Sequence, residues 1–311
     1  MFLIHTHKDA AQIAQLAQVL RQGCPDAVIL ISHDVRSTPL DPALFASSGA
    51  HLIRGAGGRG DFTILDGYLA ALRWLRDEGV AYDWITNLSG QDFPIASLAA
   101  FQDLLATTEA DGYLHHFDAI EQDPASMKPW VWPPHRGRDR YHYQYRTLKT
   151  SLSMAERALL RLPRVVLERL TDRVRVNTSF GLMIGALARP GPFNANFRCY
   201  VGSYWHTIRS ACARYILDYA EQNPDIVRYF RSVLIPDESF FQTVLVNSRR
   251  FNLVNDNLRY VDFRGSRHGH PKSLDLDDLP VLVGSSSYFA RKFDWPQSVP
   301  VLDALKPRAL G

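Results

Sequence analysis

Residues 2–31 of the 311-residue chain read FLIHTHKDAAQIAQLAQVLRQGCPDAVILI, and this stretch decides the fold class. It begins with the apolar residues 2–4, which predict a short buried strand. Over residues 10–20 the apolar side chains recur at helical spacing, and residues 27–31 form a second apolar run of strand length. A strand, an amphipathic helix and a second strand in this order predict a β-α-β unit with parallel strands.

The alternation of strands and helices continues along the first part of the chain. Residues 52–53 predict a third strand, 55–60 a glycine-rich loop, 63–75 a helix and 82–85 the next strand. This β-α-β-β-α-β order, with short connections, predicts an α/β fold in which a mostly parallel sheet carries helices on its faces. In such sheets ligands bind beyond the carboxyl ends of the strands, so the functional site is expected there.

The overall composition is that of an ordinary globular protein. Hydrophobic residues make up 46% of the chain and charged residues 22%, and the formal net charge is +3. A charge this small, without a recognised nucleic-acid-binding module, does not indicate a nucleic-acid partner, although it suits a small anionic ligand. The sequence has no internal repeat and no low-complexity linker, which favours one continuous domain over residues 1–311.

The cysteines and the apolar segments predict the cellular setting. Cys24, Cys199 and Cys212 are odd in number, lack CxxC spacing and lie in mostly apolar stretches, so we expect buried reduced thiols and a reducing compartment. The first residues become polar too early for a signal peptide, and no run approaches the ~20 apolar residues of a membrane span. We therefore expect a soluble cytoplasmic protein, with peripheral membrane contact through its basic residues.

Two unusual stretches lie in the middle of the chain. Residues 124–146 are dense in Pro, Trp, Tyr, His and Arg and predict a structured loop. Residues 152–175 predict a basic amphipathic helix, whose outer face is either solvated or in contact with an anionic lipid or polymer. Beyond them the pattern predicts helices over 207–219 and 239–246 and a strand over 258–263.

Several common catalytic signatures are missing. The sequence has no Walker loop, GxSxG or HExxH, and loop 55–60 lacks the spacing of a dinucleotide-binding fingerprint. The His-x-His pairs at 5/7 and 268/270 have no matched third ligand, so they do not predict a zinc site. Residues 275–277 have the Asp-x-Asp spelling of many metal-dependent nucleotide-sugar enzymes, but they predict the acidic first turn of a helix. A phosphate-bearing ligand would therefore have to be neutralised by side chains.

Three segments of the second half each allow a structural and a functional interpretation. Residues 202–205 (GSYW) are either the start of a helix with a core Trp or a flexible turn beside an aromatic platform for a sugar ring. Residues 234–241 (LIPDESFF) either cap a helix with acidic residues or offer Glu238 as a general base. Residues 288–294 (YFARKFD) hold the adjacent cations Arg291 and Lys292, which are either surface charges or ligands for a diphosphate.

In this order the segments resemble the Core-2/I-branching β-1,6-N-acetylglucosaminyltransferase and peptide O-xylosyltransferase family (glycosyltransferase family 14), with the second half closer to the xylosyltransferase branch. The matching segments are YDWITNLSGQDFPI at 82–95, the Gly-Ser-x-Trp turn at 202–205, PDESFFQT at 236–243, NLRYVDF at 257–263 and FARKF at 289–293. The resemblance implies a GT-A-like nucleotide-sugar transferase fold. It places a nucleotide-binding half over residues 1–120 and an acceptor and catalytic half over 121–311.

The resemblance also implies roles for individual residues. Glu238 takes the position of the catalytic base, and Arg291 and Lys292 take the positions of cations on the diphosphate. The other implied contacts with the UDP-sugar are the uracil and uridine pocket (Ile4, His5 and Asp34), a further nucleotide contact (Arg59), the sugar or acceptor turn (Tyr204 and Trp205) and the phosphates (His270 or Lys272). One branch of the family has an acidic residue where Tyr204 stands, which leaves the donor sugar open.

The function that this resemblance implies is an inverting transfer of a sugar, N-acetylglucosamine or xylose, from a UDP-sugar to a hydroxyl of a glycan or another acceptor. The resemblance implies that no divalent metal is needed. No cofactor is expected either, because the UDP-sugar is a substrate. The aromatic and basic residues from Trp130 to Arg146, with Arg140 and Tyr141, are expected either to face the acceptor or to form an ordered surface loop. The alternative function is a non-catalytic nucleotide-sugar or glycan-binding protein on the same fold.

Overall fold

A computed structural model describes residues 1–58, 60–127, 132–264 and 270–311. Its strands are β1 (Phe2–Thr6), β2 (Ile29–Asp34), β3 (His51–Gly55), β4 (Trp84–Ser89), β5 (Asp92–Pro94), β6 (Gly112–Leu114), β7 (Phe117–Asp118), β8 (Tyr143–Lys149), β9 (Val174–Asn177), β10 (Leu182–Leu187), β11 (Tyr200–Val201), β12 (His206–Arg209), β13 (Leu253–Val254), β14 (Arg259–Val261) and β15 (Phe289–Arg291). Its helices are α1 (Ala10–Gly23), α2 (Thr63–Asp77), α3 (Leu98–Thr107), α4 (Pro124–Met127), α5 (Arg136–Tyr141), α6 (Met154–Leu170), α7 (Ser210–Gln222), α8 (Pro224–Phe230), α9 (Phe240–Ser248), α10 (Leu279–Val283) and α11 (Val299–Leu310). Short 3₁₀ helices occupy Pro42–Ser48, Pro236–Glu238 and Leu276–Asp278.

Seven strands form the central sheet, in the order β13-β6-β12-β4-β1-β2-β3. The strands β4, β1, β2 and β3 pair in parallel, as do β13 and β6, whereas β12 is antiparallel to both of its neighbours. The predicted α/β class, with a mostly parallel sheet flanked by helices, is therefore confirmed. The predicted β-α-β-β-α-β order of the first half is the observed order β1, α1, β2, β3, α2, β4.

The side chains of β1 contribute to two hydrophobic cores, one on each face of the sheet. Leu3 packs with buried residues of α2, α7 and α9, whereas Phe2 and Ile4 pack with buried residues of α1, α3 and α11. Successive side chains of a strand point to opposite faces, so a strand that is apolar at every position has to be covered on both sides. The continuous apolar run at residues 2–4 therefore explains the central place of β1.

The turn at residues 202–205 leads into a strand, so the predicted helix start at residue 207 is wrong. β12 lies between β4 and β6, and α7 begins only at Ser210. Thr207 and Ile208 are β-branched and fully buried, and the hydroxyl of Thr207 bonds to that of Thr86 in β4. Because β12 runs against β4, it begins beside the carboxyl end of β4.

Two other predicted boundaries also differ from the structure. The helix predicted over 239–246 is α9, and Glu238 lies before it in a separate 3₁₀ helix that begins at Pro236. Residues 124–146 were predicted as a loop, but they contain α4, α5 and the start of β8. The loop prediction is wrong because Tyr141 and Tyr143 are fully buried, which fixes this aromatic segment against the core.

A small antiparallel sheet, β8-β10-β9, is accompanied by α6, which packs beside β9. A capping box begins α6: the hydroxyl of Ser153 accepts from the Glu156 N–H, and the Glu156 carboxylate accepts from the Ser153 N–H. The helix predicted over 152–175 is thus confirmed in part. It ends at Leu170, because the chain turns back to form β9.

Three further predictions concern local features. All three cysteines are free and buried, as predicted. The Asp275 side chain caps a 3₁₀ helix by accepting from the Asp277 N–H, so the Asp-x-Asp sequence is a helix start, as predicted. Within the described ranges, no helix combines the length and the apolar character that crossing a bilayer requires.

Candidate functional site

Polar and aromatic side chains gather where β1, β2 and β4 end and β12 begins. His5 is the next-to-last residue of β1, and Asp34 and Ser89 are the last residues of β2 and β4. Tyr204 and Trp205 directly precede β12. These carboxyl ends are where an α/β sheet binds its ligands.

Asp34 is held in an ionised form by its own loop. Arg36 Nε and Nη2 each lie 3.1 Å from an oxygen of the Asp34 carboxylate. Burial acts to raise the pKa of Asp34, but hydrogen bonds from Arg36 outweigh it and lower that pKa. A Cβ added to Gly57 of the glycine-rich loop would lie 2.3 Å from Asp34 Oδ2, so this close approach requires glycine. The result is an ionised hydrogen-bond acceptor at the edge of the sheet.

His5 connects β1 to the turn before β12. Burial lowers the pKa of His5 to about 4, so the ring is neutral near pH 7, and its Nε2 lies 3.2 Å from the hydroxyl oxygen of Tyr204. Ile4 is fully buried in the core, so its side chain faces no open pocket. Of the two residues predicted to line a uracil pocket, His5 is therefore the one whose side chain lies at the site.

The turn at residues 202–205 is fixed from several elements. The N–H of Gly202 donates to the carbonyl oxygen of Glu238 at 2.8 Å. A Cβ added to Gly202 would lie 1.9 Å from the carbonyl oxygen of His115, so the position requires glycine. The side-chain amide of Asn87 donates to the Tyr204 carbonyl oxygen. The amides of Gln242 and Asn257 donate to the carbonyl oxygen and the hydroxyl of Ser203, respectively. The turn is thus a rigid support for the side chains that it carries.

Two arginines flank the ring of Trp205. Arg291 Cζ lies 4.3 Å and Arg259 Cζ 5.8 Å from the ring centroid, and the two residues come from the paired strands β15 and β14. Arg259 forms an ion pair of 3.2 Å with Asp92, and both side chains are fully buried. Arg291 Nε is buried and has no hydrogen-bond partner among the described residues. Asp92 therefore pairs with Arg259 and not with Arg291, and burial lowers the pKa of each arginine.

Lys292 shares a carboxylate with Lys8, a residue that sequence analysis missed. The Nζ atoms of Lys292 and Lys8 each lie 2.9 Å from an oxygen of Asp294. Gln91 and Ser273 also donate hydrogen bonds to Asp294. One signal for Lys8 is its place just beyond the carboxyl end of a predicted strand. Lys8 also pairs with Asp9 at 3.2 Å, so two carboxylates hold the two lysines in place.

Glu238 lies on the other side of the turn, against Arg140. Arg140 Nη1 lies 2.7 Å from Glu238 Oε2, and the two side chains are 18% and 24% exposed. The guanidinium of Arg140 also packs over Trp132, with Cζ 4.6 Å from the ring centroid. The predicted acceptor-side residue Arg140 therefore contacts the predicted base directly. No sequence signal indicated this pair, because the partners lie 98 residues apart.

Asp237 is a second carboxyl group on this side, and sequence analysis considered it only as a helix cap. Burial, and next the charge of Glu238, raise the pKa of Asp237 to about 7. Its Oδ1 is buried and has no hydrogen-bond partner within the described residues, and its side chain caps neither the 3₁₀ helix nor α9. Arg140 therefore pairs with only one of two adjacent carboxyl groups.

Several other predicted positions do not join this cluster. Tyr141 is fully buried beside Arg140, and its hydroxyl donates to the Ile235 carbonyl at 3.1 Å. Lys272 Nζ lies 2.7 and 2.8 Å from the carboxylate oxygens of Asp278, and His270 is exposed. The predicted positions that lie outside the described residues are Arg59, Trp130 and His268.

The turn unites these groups into one site. Its first residue bonds to the backbone of Glu238, and its last, Trp205, carries Arg291 on its ring. The N–H of Ile235 donates to the Gly60 carbonyl at 3.1 Å, which brings the glycine-rich loop alongside. In the described ranges, no three His, Cys, Asp or Glu side chains form a group that could hold a metal ion. The site therefore combines the Arg140–Glu238 pair, the guanidinium of Arg291 and the ring of Trp205 around one turn.

Solved structures resemble this chain only weakly. An active-site mutant of LgtC aligns over 99% of this chain and 95% of its own length, with 12% identity and a TM-score of 0.32. The galactosyltransferase LgtC in complex with donor and acceptor sugar analogues aligns over 100% and 97%, with 12% identity and a TM-score of 0.31. Scores this low carry no argument about the function of this chain.

Sequence relatives and a family model give a firmer result. The β-glucuronosyltransferases GlcAT14B and GlcAT14A of Arabidopsis thaliana are each 24% identical to this chain, over 251 and 258 residues. The matches cover 80% of this chain but 49% and 47% of those proteins, so the chain spans about half the length of these relatives. The model of the Core-2/I-branching enzyme matches residues 57–281, which include the turn before β12 and Glu238. Because this match covers most of the chain, the chain belongs to the Core-2/I-branching enzyme family, as the resemblance predicted.

Proposed function

We propose that this chain transfers a sugar from a UDP-sugar to an acceptor hydroxyl with inversion, without a divalent metal and with Glu238 as the general base. The observation that carries the proposal is that one turn contacts both residues: Gly202 bonds to the backbone of Glu238, and the ring of Trp205 packs against the guanidinium of Arg291. Membership of a family of sugar-transferring enzymes supports the reaction class. The roles below rest on the geometry of the individual side chains.

Glu238 is proposed to take the proton of the acceptor hydroxyl while that oxygen attacks the anomeric carbon. The new oxygen–carbon bond forms on the face opposite the breaking bond to the diphosphate, and the anomeric centre is therefore inverted. Arg140 holds Glu238 Oε2 at 2.7 Å, which orients the carboxylate and leaves Oε1 to receive the proton. Arg140 is thus a positioning residue in this proposal.

Negative charge grows on the diphosphate as it leaves, and the cations on the other side of the turn are proposed to meet it. Arg291 is fixed against Trp205, and Lys292 and Lys8 are fixed against Asp294. Fixed cations stabilise a charge that develops in the transition state more than they stabilise the ground state. Side-chain cations could therefore do the work that a metal does in other nucleotide-sugar enzymes.

The nucleoside is proposed to bind at the ends of β1 and β2. The ionised carboxylate of Asp34 can accept hydrogen bonds from ribose hydroxyls or from the uracil N–H, and the neutral ring of His5 lies nearby on the next strand. The face of Trp205 offers a platform for the sugar ring. In this proposal the anomeric carbon lies between Glu238 and Arg291.

Three donor sugars are candidates. The resemblance in the sequence indicates N-acetylglucosamine and xylose, and the two Arabidopsis relatives are named as β-glucuronosyltransferases. Glucuronic acid differs from the other two because it carries a carboxylate. The guanidinium of Arg291 beside Trp205, whose Nε has no hydrogen-bond partner among the described residues, suits that group, so we include UDP-glucuronic acid among the proposed donors.

A UDP-release assay with the three UDP-sugars, glycan acceptors and excess EDTA tests this proposal. We expect acceptor-dependent UDP release from at least one donor, at a rate that EDTA does not change. Activity that requires added Mg²⁺ or Mn²⁺ would reject metal independence. Tight binding of UDP-sugars without transfer or hydrolysis of any of them would instead favour the non-catalytic alternative.

A further inference from the structure

Helix α6 carries an apolar stripe that nothing in the described structure covers. Leu159, Leu162 and Leu170 are 77%, 72% and 78% exposed, and Val166 is also exposed. Positions 159, 162, 166 and 170 follow the spacing of one helical face. Five of the fifteen exposed large hydrophobic side chains in the described part of the chain belong to this helix. Exposed apolar groups concentrated on one element mark an interaction surface.

The stripe is the outer face of a well-formed helix. The half-buried side chains of Leu160 and Leu167 lie on the opposite face, and the helix packs beside β9. The capping box at Ser153 stabilises its first turn. Leu148 of β8 adds another exposed apolar side chain in the same small sheet. The apolar stripe is therefore a feature of an ordered element.

Arginines accompany the stripe. Arg157, Arg161 and Arg164 line a shallow cavity of about 210 Å³, together with Leu160 and Thr178. The Nε of Arg164 is buried and has no hydrogen-bond partner within the described residues, so the cavity has donor capacity for an anion. Arg169 is also exposed on this helix.

The acidic residues of α6 do not cancel this charge. Glu156 is occupied by the capping box and by Lys149 of β8. Glu168 lies 3.8 Å from Arg164, which leaves three arginines of the helix without an acidic partner on it. The exposed residues of α6 therefore include an uncovered apolar stripe and two arginines, Arg161 and Arg169, that have no acidic partner in the described structure.

We propose that α6 docks on an anionic lipid bilayer. The helix lies in the plane of the interface, its apolar stripe enters the acyl boundary, and its arginines contact lipid phosphates. A second copy of this chain fits the surface less well, because two copies meeting through this face would bring their arginines together. The proposal does not depend on the sugar-transfer activity.

Sedimentation of the full chain with vesicles tests the proposal. We expect binding to phosphatidylcholine vesicles that contain about 30% phosphatidylglycerol and much weaker binding to pure phosphatidylcholine. The triple variant Leu159→Ser, Leu162→Ser, Leu170→Ser should bind the anionic vesicles at least about tenfold more weakly. The matched control, Leu44→Ser, Leu276→Ser, Leu310→Ser, also removes three exposed leucines and should bind like the wild type.

A variant without two of the arginines tests the contribution of charge separately from that of the apolar stripe. Arg161→Gln with Arg169→Gln should weaken binding to anionic vesicles and flatten its salt dependence, whereas Arg228→Gln on α8 should change neither. Thermal unfolding should be the same for all variants, because the altered side chains are exposed.

Three results would overturn the proposal. The first is that the wild type does not sediment with anionic vesicles, and the second is that it binds neutral vesicles equally well. The third is a concentration-dependent dimer, seen by light scattering, that the leucine triple variant abolishes, because it would assign the stripe to a second copy of the chain.

Discussion

The two sides of the turn before β12 each hold one ion pair and one ionisable group outside it. On what we call the cation side, Arg259 pairs with Asp92, whereas Arg291 forms no ion pair among the described residues. On the carboxylate side, Glu238 pairs with Arg140, whereas Asp237 forms none with any described residue. One side thus has an unmatched cation and the other an unmatched carboxyl group.

This difference separates structural charges from functional ones. The Arg259–Asp92 pair is balanced and fully buried, which is what a structural ion pair requires. An unmatched charge in a partly buried place makes folding less favourable, and such groups concentrate at sites that bind or transform a ligand. We therefore assign Arg291 to ligand binding and Glu238 to chemistry. Each prediction below changes one side of the turn.

Removing the structural pair should have the largest effect. Asp92→Ala leaves the fully buried Arg259 without its counter-charge, so we expect a loss of about 3–5 kcal/mol in the free energy of unfolding, measured with urea. The matched control is Asp225→Ala, which breaks an ion pair whose side chains are 75% and 85% exposed. It should change stability by less than about 0.5 kcal/mol. Equal effects of the two variants would show that the buried pair has no structural role.

Neutralising the proposed base should abolish most of the transfer. Glu238→Gln keeps the shape of the side chain but cannot take a proton, so we expect kcat to fall about 10²-fold or more. The matched control is Glu221→Gln, because Glu221 also pairs with arginines, Arg73 and Arg76, but on the surface. It should transfer sugar at the normal rate. Near-normal transfer by Glu238→Gln would reject the assignment of the base.

The second carboxyl group should make stability depend on pH. The pKa of Asp237 is about 7 in the folded protein and about 4 in an unfolded chain. Between these values the folded state keeps a proton that the unfolded state releases, so Asp237 lowers stability progressively as the pH rises from 4 to 7.

The variant Asp237→Asn removes this effect. Its stability relative to the wild type should therefore increase by about 1 kcal/mol or more between pH 4 and pH 8, as measured by urea unfolding at each pH. A difference that stays constant over this range would contradict the raised pKa.

The smallest effect is expected on the cation side. Lys292→Ala removes one of several cations and should weaken UDP binding about fivefold at low salt, with a smaller loss at high salt. Calorimetric titration with UDP measures it, and Lys306→Ala on α11 is the control. An unchanged affinity would exclude Lys292 from the phosphate site.

Much of the fold could be predicted from local patterns. The apolar runs of β1 and β2 and the helical period of α1 gave the parallel β-α-β unit, because burial on two faces determines both patterns. The strand β12 was missed, since its first residues carry no strand signal apart from two β-branched side chains. β12 pairs with β4 and β6, and these pairings join residues that are far apart in the chain.

For the site, the sequence predicted individual residues but not the contacts between them. Glu238, Arg291 and Lys292 were identified by their ordered motifs, and the structure brings Glu238 and Arg291 to the same turn. The pairing of Arg140 with Glu238 and the presence of Lys8 beside Lys292 were not predicted. Both depend on contacts between residues far apart in the chain, which no local pattern records.

UDP affinity and single-turnover transfer, measured on the same preparations of Glu238→Gln and Lys292→Ala, show whether the two sides of the turn have separate tasks. Glu238→Gln should bind UDP normally and lose about 10²-fold in transfer rate at saturating donor. Lys292→Ala should lose UDP affinity and retain most of its transfer rate at saturating donor. If Glu238→Gln lost UDP affinity but transferred sugar at the wild-type rate, the assignment of the carboxylate side to chemistry would be contradicted.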